Sequence, residues 1–187
     1  MYGYKKNDVF DSNSFSILGY NKVDSFNEYY IRDVNGVYYR KKDNWSCINI
    51  DQTILKLEWV DSASFEYIQK WYAKDKNFVM YKWQILSDLD RNSFKYVSDW
   101  YIKDKNYVFR VQYGEDSLLN PIKIDLLDPK TFSVLDYGYV KDKNWVYYGA
   151  QKIEGINQDE VKVITDDFIK DSNVVQYKQK NRDWHLS

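Results

Sequence analysis

The sequence predicts an all-β protein, a tandem array of five to six antiparallel β-hairpin repeats forming a twisted or partly closed sheet. Three observations carry that expectation. Aromatic residues make up 19% of the 187-residue chain, and aromatic and β-branched side chains suit a pleated, half-buried surface better than a helix. One phrase, typified by YVKDKNWVYY at residues 139–148, recurs five times at a nearly regular period. A second phrase, typified by DPKTF at residues 128–132, precedes most copies at a fixed distance. Such a period marks an architecture in which each unit packs only on its neighbours.

The elements follow in chain order. Tyr2, Lys6, Asn7, Val9 and Phe10 fall at the offsets of a degenerate copy over residues 1–18. The first full copy, YIRDVNGVYY from Tyr30, sets Asn35-Gly36 between Val34 and Val37, the strongest short hairpin signal. SCINIDQTILKLEWV, residues 46–60, alternates around Ile48, Ile50, Ile54, Leu55 and Leu57 and reads as strand with a turn at Asp51-Gln52. Copies two and three are YAKDKNFVMY from Tyr72 and YIKDKNYVFR from Tyr101. GEDSLLNP, residues 114–121, ends in Pro121 and reads as a surface loop. The fourth copy starts at Tyr139, and the fifth, FIKDSNVVQY, at Phe168. The anchor aspartates are separated by 42, 29, 38 and 29 residues. The unit is therefore one of about 29 residues with two insertions, and residues 1–187 read as a single repeat domain.

Each copy carries an Asp and, two residues on, an Asn: Asp33 and Asn35, Asp75 and Asn77, Asp104 and Asn106, Asp142 and Asn144, Asp171 and Asn173. This is turn chemistry, because an Asp side chain can bond the backbone two residues on and Asn tolerates a left-handed conformation. The left-handed reading predicts that Asn144→Ala loosens its hairpin. Ahead of the turns stand DSASFEYI from Asp61, DRNSFKYV from Asp90, DPKTFSVL from Asp128 and the looser NQDEVKVI from Asn157. An Asp three residues before Ser or Thr reads as a capped corner that feeds an apolar residue inward. Phe65, Phe94, Phe132 and Val161, with Val37, Val79, Val108, Val146 and Val175, are expected to form a repeated core ladder.

These residues resemble the bacterial DKNYY-type repeat proteins, over roughly residues 20–180. DPKTFSVLDYGYVKDKNWVYYGAQKIEG, residues 128–155, is closest to the family pattern, while the copies at Asp33 and Asp171 carry VNG and DSN in place of DKN. The resemblance implies bacterial origin and a tandem-hairpin scaffold, and transfers no catalytic residue.

Composition narrows function. Twenty-seven basic against 28 acidic residues give a net charge of -1, which supplies no field for nucleic acid. No run approaches the length of a membrane span. If Met1 is the native start, the chain is expected in the cytoplasm; if it is a trimmed mature form, in the envelope or periplasm. His185, three residues from the end, is poorly placed as a base, and Cys47 reads as an inert thiol. One His and one Cys cannot make a standard zinc site. D-x-N supplies two oxygens but no completed calcium loop, and a two-carboxylate hydrolase competes with the turn role of every repeated Asp. No cofactor, metal or catalytic residue is expected. The aromatic excess is the candidate functional feature: Trp45, Trp71, Trp83, Trp100 and Trp145 lie on or near hairpins and suit contact with a partner. The expected function is a non-enzymatic protein-binding module, in its narrowest form an immunity-type inhibitor of a toxin. The alternative is a cell-envelope repeat that binds glycan or builds surface structure.

Overall fold

Each of the five hairpins expected at Asp33, Asp75, Asp104, Asp142 and Asp171 forms, and each recruits further strands. The computed structural model describes residues 10–19, 28–41, 54–114, 119–149 and 151–177. The chain divides into two compact units, Met1–Asn92 and Ser93–Ser187. In the first unit, β1 (Ser16–Leu18), β2 (Tyr29–Asp33), β3 (Gly36–Arg40) and β4 (Ile54–Lys56) form one antiparallel meander. A second meander follows in β5 (Glu66–Gln69), β6 (Tyr72–Lys74), β7 (Val79–Tyr81) and β8 (Gln84–Ile85). The second unit begins with β9 (Lys95–Ser98), β10 (Tyr101–Lys103), β11 (Val108–Tyr113) and β12 (Leu119–Ile124). It continues with β13 (Ser133–Val134), β14 (Tyr139–Lys141), β15 (Val146–Tyr148) and β16 (Gln151–Ile153), and ends with β17 (Lys162–Val163), β18 (Phe168–Lys170) and β19 (Val175–Tyr177). The fold is thus all-β, with its hairpins spread over five small sheets, none of them closed. No helix among the described residues is long and apolar enough to cross a membrane.

The DKN turns are four-residue loops: Asp75–Phe78, Asp104–Tyr107 and Asp142–Trp145 each close with the Asp N–H donating to the last carbonyl, at 3.0, 3.0 and 3.1 Å. A four-residue hairpin loop is built around an ordinary turn and needs no left-handed residue. Accordingly no turn asparagine has a positive φ; among the described non-glycine residues only Lys70, Trp71, Lys82 and Tyr137 do. The left-handed role expected of Asn144 is therefore wrong, although the turn is right. In the first copy the loop residues are Val34 and Asn35, because Gly36, with φ of 151°, already pairs opposite Asp33 in the ladder. GEDSLLNP is also corrected: residues 119–121 open β12, and Pro121 stands opposite Val111 in an edge strand, where its missing N–H costs the ladder nothing.

The turn aspartates are braces as well as turns. Asp142 Oδ1 accepts from the N–H of Asn144 at 2.8 Å and of Trp145 at 3.0 Å, while Oδ2 accepts from the N–H of Asp128, fourteen residues back, at 2.9 Å. A parallel bond joins the Lys143 N–H to Thr131 Oγ1 at 3.1 Å. Each corner is thereby laced to its turn. The pattern repeats at Asp75 with Asp61 and Ser64, and at Asp171 with Asn157. In the third copy Ser93 Oγ accepts from Lys105, and Asp104 accepts from Asn106 and Tyr107. Asp33 is braced by Asp11, whose side chain caps Ser14. That corner, DSNSF at 11–15, went unread because it lies 22 residues ahead of its aspartate rather than at the spacing of the other copies; β1 that follows it pairs with β2. Tyr2, Lys6, Asn7 and Val9 of the expected opening copy, and Ile48 and Ile50, lie outside the described residues.

Within each unit the core lies between consecutive repeats. Tyr30, Val37 and Tyr39 pack with Phe65, Ala73 and Met80 of the next copy. Tyr101 and Val108 pack likewise with Phe132, Val140 and Tyr147, and Tyr139 and Val146 with Ile156, Ile169 and the half-buried Val161. The ladder holds for Phe65, Phe94, Phe132, Val37, Val79, Val108 and Val146. It fails at Val175, which is 66% exposed: Val37, Val108 and Val146 are each buried against the repeat that follows within their unit, and no described residue follows to cover Val175.

Candidate functional site

Carboxylates are the commonest chemistry-bearing groups of the chain, and the turns fix what they do. Lys76, bonded at 2.7 Å, and the Ser64 hydroxyl hold the Asp61 carboxyl down to a pKa of about 2. Backbone N–H donors and Lys143 lower Asp128, three backbone N–H groups lower Asp171, and the Ser14 hydroxyl and N–H lower Asp11. These shifts run opposite to those of a general acid. Among the described residues no group of three or more His, Cys, Asp and Glu could hold a metal ion.

The tryptophans separate into two environments. Trp71 and Trp83 are half-buried and enclose a lysine: Lys82 Nζ lies 5.1 Å from the Trp71 ring, 5.7 Å from Tyr81 and 5.9 Å from Trp83. It bonds the Glu28 carboxylate at 2.9 Å, with both side chains buried. Lys70 and Trp71, between β5 and β6, and Lys82, between β7 and β8, have left-handed φ, as tight hairpin loops require. Tyr30, fully buried, places its hydroxyl 2.8 and 2.7 Å from the Trp71 and Lys82 carbonyls, its one proton shared between them. Burial raises the pKa of Tyr30 and Tyr39 well above the usual range, and Glu28 adds to the rise at Tyr39. Two of the five expected contact tryptophans therefore seal a buried ion pair, a cluster invisible in the repeat phrase because Glu28 and Lys82 lie outside it.

Trp100 and Trp145 face outward, at 60% and 42% exposure. Trp45 lies outside the described residues, as do Cys47 and His185. Trp145 is the residue that follows the turn asparagine, and the same position holds the exposed Phe78 and Tyr107, two aromatics that attention to tryptophan alone passed over. Their position in the phrase, always after DKN, was the available signal. Two of these outer rings carry a lysine on one face: Lys123 Nζ sits 3.7 Å from the Tyr107 centroid and Lys152 Nζ 3.2 Å from that of Trp145. Phe78 instead meets Trp59 edge-on at 6.5 Å. Each ring rides on a loop held by its Asp, and the lysines over Tyr107 and Trp145 pair in turn with Asp125 and Glu154, so the tips are aromatic rings set among paired charges.

An array of Asp-braced β-hairpin repeats, three of them with an aromatic at the turn edge, is the class that this geometry defines. The chain belongs to the DKNYY family, which matches twice, over residues 43–113 and 111–185. Each match spans two Asp-braced turns, at Asp75 and Asp104 and at Asp142 and Asp171; the Asp33 copy lies outside both, although its turn and brace are of the same kind. No curated protein and no solved structure matches the chain.

Proposed function

We propose that the chain is a non-enzymatic binding module that engages another protein through the turn edge of its repeats. The carrying observation is the recurrence of an exposed aromatic, Phe78, Tyr107 and Trp145, at a position whose backbone N–H the turn Asp holds. Aromatic side chains that are already ordered lose little entropy on contact and make good anchors. The lysines over Tyr107 and Trp145 are themselves paired, Lys123 with Asp125 at 2.8 Å and Lys152 with Glu154 at 3.4 Å, so each tip sets an apolar ring among charges of both signs, which suits a partner with a polar rim around an apolar centre. An immunity-type inhibitor seated on a toxin is the narrower form of this reading and uses the same surface. Glycan binding is the second reading, favoured by Trp100, whose ring is 60% exposed and could stack on a sugar.

The test is affinity capture from a lysate of the source organism, with the wild-type chain and the Tyr107→Ser/Trp145→Ser double variant as baits. One near-stoichiometric protein that the wild type retains and the double variant loses supports the reading. A protein held equally by both baits removes the turn edge from it. Recovery of wall glycan alone, lost on Trp100→Ser, moves the assignment to the second reading.

A further inference from the structure

We propose that copies of this chain associate head to tail, the open face of the last repeat seating on the first corner of another copy. The occupant is identified by the interfaces already inside the molecule. At each junction described above, the first-position tyrosine and the post-turn valine of one repeat disappear under the corner residue and hairpin of the next. The lysine before the turn Asp fastens that seat: Lys103 Nζ donates to the Pro129 carbonyl and Lys141 Nζ to the Gln158 carbonyl, each at 2.7 Å and each to the second residue of the following corner.

The last repeat keeps this equipment and leaves it open. Phe168 is 45% exposed, and Val175 and Tyr177 are more so; their counterparts Tyr139 and Val146 are buried. Lys170, the counterpart of Lys103 and Lys141, borders an open groove of about 450 Å3 with Lys162, Glu160, Asp171 and Ser172. The first repeat presents the other half. Its corner residue Phe15 is 41% exposed, whereas Phe65 and Phe132 in the same role are buried. Ile17, two residues on and on the same strand face, is also exposed; its counterparts Tyr67 and Val163 pack against inter-repeat cores. Ser12 stands where Pro129 and Gln158 offer their carbonyls. Phe10 covers Tyr38, with ring centroids 5.0 Å apart, so the corner and the Phe15 and Ile17 side of this end form the seat. A tail face on one copy and a corner face on another make a heterologous contact, which propagates unless it closes into a ring.

Sedimentation equilibrium of the full chain across a wide concentration range tests this. The wild type is expected to exceed the 22.6 kDa monomer mass as concentration rises. Val175→Glu at the tail and Ile17→Glu at the head, both at exposed positions, are each expected to be monomeric alone, with unchanged far-ultraviolet circular dichroism. Mixed together they are expected to restore dimers and nothing larger, because one intact tail then meets one intact head. Phe15→Glu serves as a second head variant. A wild type that is monomeric at millimolar concentration overturns the proposal and returns the face to residues 178–187 or to another protein. Val175→Glu monomers with Ile17→Glu and Phe15→Glu still dimeric also overturn it, in favour of a symmetric tail-to-tail pair.

Discussion

Replacing Asp142 by Ala tests the brace directly. The carboxylate is 2% exposed and accepts three backbone N–H groups, from Asn144, Trp145 and Asp128, at 2.8, 3.0 and 2.9 Å. Alanine removes all three acceptors at once. At a net value of about 1 kcal/mol per bond the loss is about 3 kcal/mol, with water recovering part of it at the turn and at the half-buried corner. Asp142→Asn separates the two halves of the brace. Its Oδ1 can still accept from Asn144 and Trp145, but its Nδ2 would point a donor at the Asp128 N–H, so roughly half the cost, about 1.5 kcal/mol, is expected. Asn144→Ala should cost less than about 0.5 kcal/mol, since no left-handed backbone has to be accommodated. Urea denaturation gives the totals, and amide hydrogen exchange at Asp128, Asn144 and Trp145 gives the local effect. The reasoning is refuted if Asp142→Ala costs under about 1 kcal/mol, or if Asn144→Ala costs as much.

Further expectations follow from the same geometry. Val146→Ala should destabilise by about 2 kcal/mol through a cavity between repeats, whereas Val175→Ala, at the equivalent exposed position, should leave the urea midpoint unchanged. Asp61 should show an acid-shifted titration by carbon-detected NMR, near pH 2. Because its folded pKa lies below the unfolded value, the stability it contributes is present above pH 4 and is lost as pH falls toward 2; Lys76→Gln should move that titration upward. Lys82→Met should cost about 3 kcal/mol or more by leaving Glu28 charged and unpaired among aromatic rings, and Glu28→Gln in the same chain should recover most of it; thermal melts of the two variants check both.

The sequence by itself determined the repeated parts. An Asp two residues before an Asn, flanked by apolar alternation, can hardly do other than turn a hairpin, because the bonds concerned span two or three residues. The corner DPKTF and its inward Phe132 were legible for the same reason: cap and turn chemistry is local. Valines at a fixed place after each turn implied a core, since a repeat cannot bury its apolar face alone.

What the tertiary structure decided depends on contacts between segments. Whether Asp142 merely turns its loop or also reaches the Asp128 N–H is settled by the second carboxylate oxygen meeting a corner fourteen residues away. The Glu28 and Lys82 pair lies 54 residues apart in the chain, and only packing converts Trp71 and Trp83 from candidate contact residues into its walls. Val146 and Val175 are the same letter in the same phrase, yet one is buried and the other open. A side chain's burial belongs to whatever lies against it, and local sequence specifies the side chain without specifying the neighbour.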